Sequence, residues 1–105
     1  MRLEHYSEEK LKKEILEIVG KKLDLKKYKV FFFGSRVRGD NFERADIDLG
    51  IEGPKEIDSM VWTEIEEEIE KIPTLYKIDF VDFKEVGENF YNIAKQNIEI
   101  LEPAI

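Results

Sequence analysis

The chain has 105 residues, 42% hydrophobic and 39% charged, with six Gly, three Pro and no Cys, which suits one compact domain spanning residues 1–105 and leaves no room for a large second one. Seventeen Lys and Arg against 24 Asp and Glu give a formal charge of -7, so extended phosphate backbones would be repelled and a general DNA- or RNA-binding role is disfavoured. The lack of Cys excludes disulfide frameworks, thiolate metal sites and cysteine nucleophiles, and it fits a reducing cytoplasm.

The first twenty residues mix charge with aliphatics and lack the apolar core of a signal peptide. Within them Ser7 is a candidate N-cap, Glu8 and Glu9 suit a helix start, and Leu11, Ile15, Ile18 and Val19 recur at helical spacing, predicting a helix over Ser7 to Lys22. Lys21 and Lys22 are placed to complement its C-terminus. Tyr28 to Phe33 reads as a strand stopped by Gly34; its apolar run, Val30 to Phe33, is too short to cross a membrane. Gly34, Gly39, Asp40 and Asn41 bracket a segment with room for one helical turn and a loop, and Ala45 to Glu52 then alternates apolar and acidic residues as a second strand. Gly53 and Pro54 break the chain. Met60, Val61, Ile65, Ile69 and Ile72 mark a helix over Glu56 to Lys71, closed by Pro73. Lys77 to Phe83 reads as strand three, Glu88 to Gln96 as a short helix ended by a left-handed Asn97, and Ile98 to Leu101 as strand four. The order αβ(α)βαβαβ predicts an α/β (α+β) fold, a mixed four-stranded sheet with helices mainly on one face and the other face left open to carry acids in solvent.

The stretch from Gly34 to Leu49, GSRVRGDNFERADIDL, carries the chemistry. Asp46 and Asp48 are two apart, so on a strand both carboxylates share one face while Ile47 and Leu49 take the other. Such a pair is half of a nucleotide–magnesium site, because Mg²⁺ binds through few protein carboxylates together with substrate phosphates. Like charges on one face also repel, so an empty site should be electrostatically strained. Gly34 lets backbone approach a phosphate, Ser35 offers an amide and a hydroxyl, and Arg36 and Arg38 add cationic donors. Bridging two metal ions requires a third acid. Asp79 and Asp82 lie at odd spacing on strand three and face opposite sides, so only one can join the pair; Asp79 is chosen as nearer the strand middle, with Asp82 expected near the strand end in water.

These residues resemble the minimal nucleotidyltransferases (MNT) of the DNA polymerase β superfamily: apolar strand, Gly-Ser, ten residues, Asp-x-Asp, then an apolar-Asp-apolar strand, over about Tyr28 to Leu101. With average residue usage, Gly-Ser and Asp-x-Asp at one fixed separation should arise in roughly one chain in a thousand of this size. The resemblance implies transfer of AMP from ATP with two Mg²⁺ ions and release of pyrophosphate. It makes Asp46, Asp48 and Asp79 the metal ligands and catalytic acids, and Gly34 and Ser35 the phosphate-holding turn, with Arg36 and Arg38 beside it. It further implies an antitoxin whose partner is a helical HEPN toxin, modified on a tyrosine hydroxyl. Two alternatives remain: an antitoxin that masks its toxin by contact alone, and nucleotidyl transfer to a small hydroxylated molecule.

Other features carry no chemistry. His5 lies in a polar tail, Trp62 borders the apolar stripe of its helix as core edge or interface anchor, and the glutamates from Glu64 to Glu70 form a solvated face. The Glu- and Lys-rich balance resembles thermophile proteins, though it would equally coat an ordinary helical surface.

Overall fold

The computed structural model describes residues 6–34, 37, 46–74 and 76–102. Helix α1 covers Glu8–Gly20, and the Ser7 side chain caps it by accepting from the Lys10 amide at 3.2 Å. Strand β1 (Lys29–Phe33) pairs antiparallel with β2 (Ile47–Glu52), and helix α2 (Ser59–Glu70) leads to β3 (Ile78–Asp82), which lies parallel to β2. Helix α3 (Glu88–Ala94) then returns the chain to β4 (Ile98–Leu101), antiparallel to β1. The sheet is mixed, in the order β3-β2-β1-β4.

Sequence alternation divides the sheet into two faces. Val30 and Phe32 of β1 and Ile47, Leu49 and Ile51 of β2 point to one side, where Leu11, Ile15 and Val19 of α1 and Ile65 and Ile69 of α2 complete the main core. Each helix contributes residues four apart, one stripe of a 3.6-residue period. Phe31 and Phe33 point to the other side and meet Phe83 edge-on, at centroid distances of 4.8 and 5.1 Å. A Cβ on Gly50 would lie 2.5 Å from the Phe31 ring and 2.6 Å from that of Phe83, so glycine is what lets these rings close over β2.

Helices therefore lie mainly on one face, but the second face is not fully open. Tyr91 and Ala94 of α3 pack against the phenylalanine cluster, because three large rings on that side need cover. Helix α1 stops at Gly20 rather than Lys22, and Lys22 instead pairs with Glu64 of α2. Helix α2 starts at Ser59 rather than Glu56, because the Asp58 carboxylate accepts from the amides of Met60 and Val61. Met60, expected in the apolar stripe, is exposed, and Ile57 before the helix is buried instead. Trp62 is half-buried and stacks on Phe80 with ring centroids 4.1 Å apart, which makes it core edge. Asn97 is not left-handed: among the described residues only Gly34 has a positive φ, and α3 ends on Lys95 in a right-handed conformation. The helical turn expected after Gly34 and the tail bearing His5 lie outside the described residues, except for Val37, which packs against the main core.

Candidate active site

Asp48 and Asp79 are direct partners in the parallel β2–β3 ladder. Side chains opposite one another on adjacent strands point to the same face, so the register that buries Leu49 beside Phe80 also sets these two carboxylates together on the second face. Asp46 lies one residue before β2 and is exposed. Asp48 feels both neighbours: burial, then the charge of Asp79, then that of Asp46, push its carboxyl above its usual range. The Lys77 ammonium, which the sequence reading passed over, lies 3.6 Å from Asp79 on the exposed side.

Gly34 ends β1 with φ +85°. A Cβ there would sit 2.2 Å from Asp48 Oδ2, so the turn comes as close to the carboxylate as only glycine allows. Ser35, Arg36 and Arg38 lie outside the described residues.

Asp82 has a different role. It is buried on the helix-covered side, where Oδ2 accepts from the Ile57 amide at 3.0 Å and Oδ1 from the Lys84 amide at 2.9 Å. The expectation of a solvated Asp82 is thus corrected: the strand end is covered by the loop that precedes α2, whose orphan amide the carboxylate satisfies. No periodic signal in the sequence marks that contact.

The donor set fits Mg²⁺ in kind, being hard carboxylate oxygens on one face that repel one another. Among the described residues no group of three or more acids or histidines closes into a metal site by itself. A groove of about 380 Å³ adjoins Gly34 and Asp48 on the same face. The sequence reading missed it; its signal is the spacing of Phe90, Ile93, Ala94 and Asn97 at i, i+3, i+4 and i+7. A second groove, about 420 Å³, lies between α1 and α2 away from the acids and is lined by the Lys22–Glu64 ion pair.

The sequence pattern of the family described as Polymerase beta, Nucleotidyltransferase matches residues 26–104. The chain belongs to this nucleotidyltransferase family. Among curated proteins none matches it. Solved structures similar to this nucleotidyltransferase-family chain include a toxin–antitoxin complex with AMP-PNP, at 16% identity and a TM-score of 0.66, covering 87% of this chain and 72% of the other. Another is the complex of a tri-AMPylated Shewanella oneidensis HEPN toxin with MNT antitoxin, at 14% identity and a TM-score of 0.67, covering 93% and 74%. A Sulfolobus solfataricus chain described as a nucleotidyltransferase is 26% identical with a TM-score of 0.52, covering 87% and 76%. The polymerase β-like fold of this chain is thus that of MNT antitoxins seen with HEPN toxins. Among the described residues no helix is long and apolar enough to cross a membrane.

Proposed function

We propose that this nucleotidyltransferase-family chain is a magnesium-dependent enzyme that moves AMP from ATP to a tyrosine hydroxyl of a HEPN-type toxin and so acts as its antitoxin in the cytoplasm. The observation that carries the reading is the in-register pair Asp48 and Asp79, with Asp46 beside it and the Gly34 turn pressed against Asp48. The likeness to the AMP-PNP complex supports ATP as donor, and the likeness to the tri-AMPylated toxin complex supports the partner.

Asp46, Asp48 and Asp79 would hold Mg²⁺. When bound, it supplies neutralisation of the triphosphate and of the charge that develops in transfer. The chain's own part is to position an in-line displacement. The acceptor oxygen attacks the α-phosphorus, its new bond forms as the bond to the pyrophosphate oxygen breaks, and pyrophosphate leaves. Asp79, with its side chain 40% exposed, is open to an incoming hydroxyl from the β3 side of Asp48 and takes the hydroxyl proton. Gly34 and Ser35 receive phosphate oxygens on backbone amides and the serine hydroxyl, with Arg36 and Arg38 as cationic partners.

The test is the intact mass of a co-expressed HEPN toxin incubated with this chain, ATP and Mg²⁺. Addition of AMP by the unsubstituted chain, lost in Asp46→Asn and Asp79→Asn with the fold retained, is the expected result. Neutralisation of the toxin without any mass change, unaffected by those substitutions, would overturn it in favour of masking by contact.

A further inference from the structure

Strand β3 closes one end of the sheet: β2 pairs with one side of it, and among the described residues no strand pairs with the other. The parallel ladder fixes which of its backbone groups are already used. The Ile47 amide donates to the Lys77 carbonyl and the Phe83 amide to the Ile51 carbonyl, both at 2.9 Å, so residues 77, 79, 81 and 83 turn their backbone groups toward β2. Ile78 and Phe80 therefore turn their N–H and C=O groups to the outer edge. That edge contains no proline, and its register with β2 is unbroken by any bulge, so the usual blocks to further pairing are missing from it. Its two charged side chains are committed, Asp82 to the Ile57 and Lys84 amides and Asp79 to the acid face. Residues 78–81 are only half-buried, whereas β1 and β2 are mostly buried. On the helix side Phe80 stacks on Trp62, itself half-buried, with ring centroids 4.1 Å apart.

Resting on the transferase reading, we infer that the outer edge of β3 docks the acceptor protein through an extended segment added to the sheet as a further strand, with the hydroxyl residue to be modified beside Asp79 and apolar residues on either side of it. The outward groups of Ile78 and Phe80 are two residues apart, the spacing at which an added strand exchanges hydrogen bonds, and Asp79 lies between them. Whichever way the added strand runs, its residue opposite Asp79 points to the acid face. In antiparallel addition that residue's Cα stands about 4.5 Å from the Cα of Asp79, because the two form a pair not joined by hydrogen bonds. Its two neighbours point to the helix side, where they cover Ile78, Phe80 and the adjoining Trp62 ring. A slip of one residue would carry the hydroxyl to the apolar side, so the edge selects a hydroxyl residue with an apolar neighbour at each flank. The opposite edge offers nothing comparable: β4 is separated from β2 by β1 and turns Ile98 and Ile100, not an acid, to the face of Asp79.

The experiment uses the full chain and a co-expressed HEPN toxin, with two readouts: residue-resolved hydrogen exchange of the chain free and in the complex, and steady-state AMP transfer by the unsubstituted chain, Ile78→Pro and Ile78→Val. Proline at this position removes an outward amide and no bond to β2, whereas valine keeps the amide. In the complex the Ile78 and Phe80 amides should exchange about tenfold more slowly, or slower still, than in the free chain. Ile78→Pro should raise KM for the toxin about tenfold or more with kcat at saturating toxin within about twofold of the parent, while Ile78→Val stays within about twofold in both. Transfer without slowed exchange at Ile78 and Phe80 overturns the inference, even where Ile78→Pro does not fold, and so does an equal KM in the two variants. Slow exchange of these amides already in the free chain, growing with its concentration, overturns it in favour of a second copy on the edge. Absence of AMP transfer by the unsubstituted chain overturns the transferase reading itself, and the inference with it.

Discussion

Asp48 stands where burial, the Asp79 carboxylate across the ladder and the Asp46 carboxylate two residues back all disfavour its charge. Its folded-state pKa is raised above that of an ordinary aspartate. Its contribution to stability is therefore full below the unfolded pKa and is lost as pH rises through the folded one. At neutral pH the folded chain holds a carboxylate it would hold more easily protonated. Asp48→Asn, which removes the charge and keeps the shape, should unfold at a higher temperature than the parent near neutral pH, and the gap should narrow as pH falls toward that of an ordinary carboxyl. Thermal unfolding followed by circular dichroism across that range checks it. An unchanged or lowered midpoint near neutrality would mean that the three acids do not strain one another. Stability lost to function at a site poised for a ligand is a general expectation, and here it is assigned to one side chain.

Helix α3 is the element most dependent on a few contacts. It has seven residues, none of them buried, and no side chain caps its start. Its hold on the sheet comes from Tyr91 and Ala94 against the phenylalanine cluster and from the Glu52 carboxylate, which accepts from Tyr91 Oη and Lys95 Nζ. Burial alone would push the Glu52 carboxyl up, but the hydrogen bonds from Lys95 and Tyr91 and the lysine charges outweigh it and hold it below its usual range. That stabilisation is present above the ordinary carboxyl pKa and is lost as pH falls through the lowered one. Glu52→Ala should release α3 without unfolding α1 or α2. Hydrogen exchange is the readout: amides of residues 88–95 should exchange roughly tenfold faster or more, the ratio that corresponds to about 1.4 kcal/mol of local opening. Equal protection in parent and variant would transfer the hold on α3 to the aromatic contacts alone. The sequence places this helix within two residues of its observed bounds but does not show which face it covers. Its apolar residues at 90, 91, 93 and 94 serve two surfaces, Tyr91 and Ala94 inward and Phe90 and Ile93 toward the groove, so one amphipathic stripe does not describe it.

Across the whole molecule, what was legible in the sequence is what periodicity controls. Asp48 alternates with Ile47, Leu49 and Ile51, and that alternation marks the core face and turns Asp48 to the other, while Asp46 lies just before the strand. On strand three the period shows only that one of Asp79 and Asp82 can join them, and nearness to the strand middle makes the choice of Asp79. Contacts made by loops carry no period, so the burial of Asp82 under the Ile57 amide and the cover that α3 gives to Phe31 and Phe33 were not legible. The division into faces has an energetic consequence. Strand β2 is central in the sheet and belongs to both faces: its apolar residues are the middle of the helix-packed core, and Asp48 on its other side meets the β3 acid. Asp48 and Asp79 therefore cannot lose their mutual placement unless the central strand separates from its neighbour, which is global unfolding. Ligand held by the acids should accordingly stabilise the entire chain, by about 2.7 kcal/mol at a hundredfold excess over Kd. The expected outcome is that Mg²⁺ with ATP raises the thermal midpoint and slows exchange of the buried amides of β1 and β2 along with the site. In Asp46→Asn, where one donor is gone and the core is untouched, the rise should be much smaller. Protection confined to the neighbourhood of Gly34, with the β1 and β2 core amides unchanged, would mean that the site can open separately from the sheet that carries it.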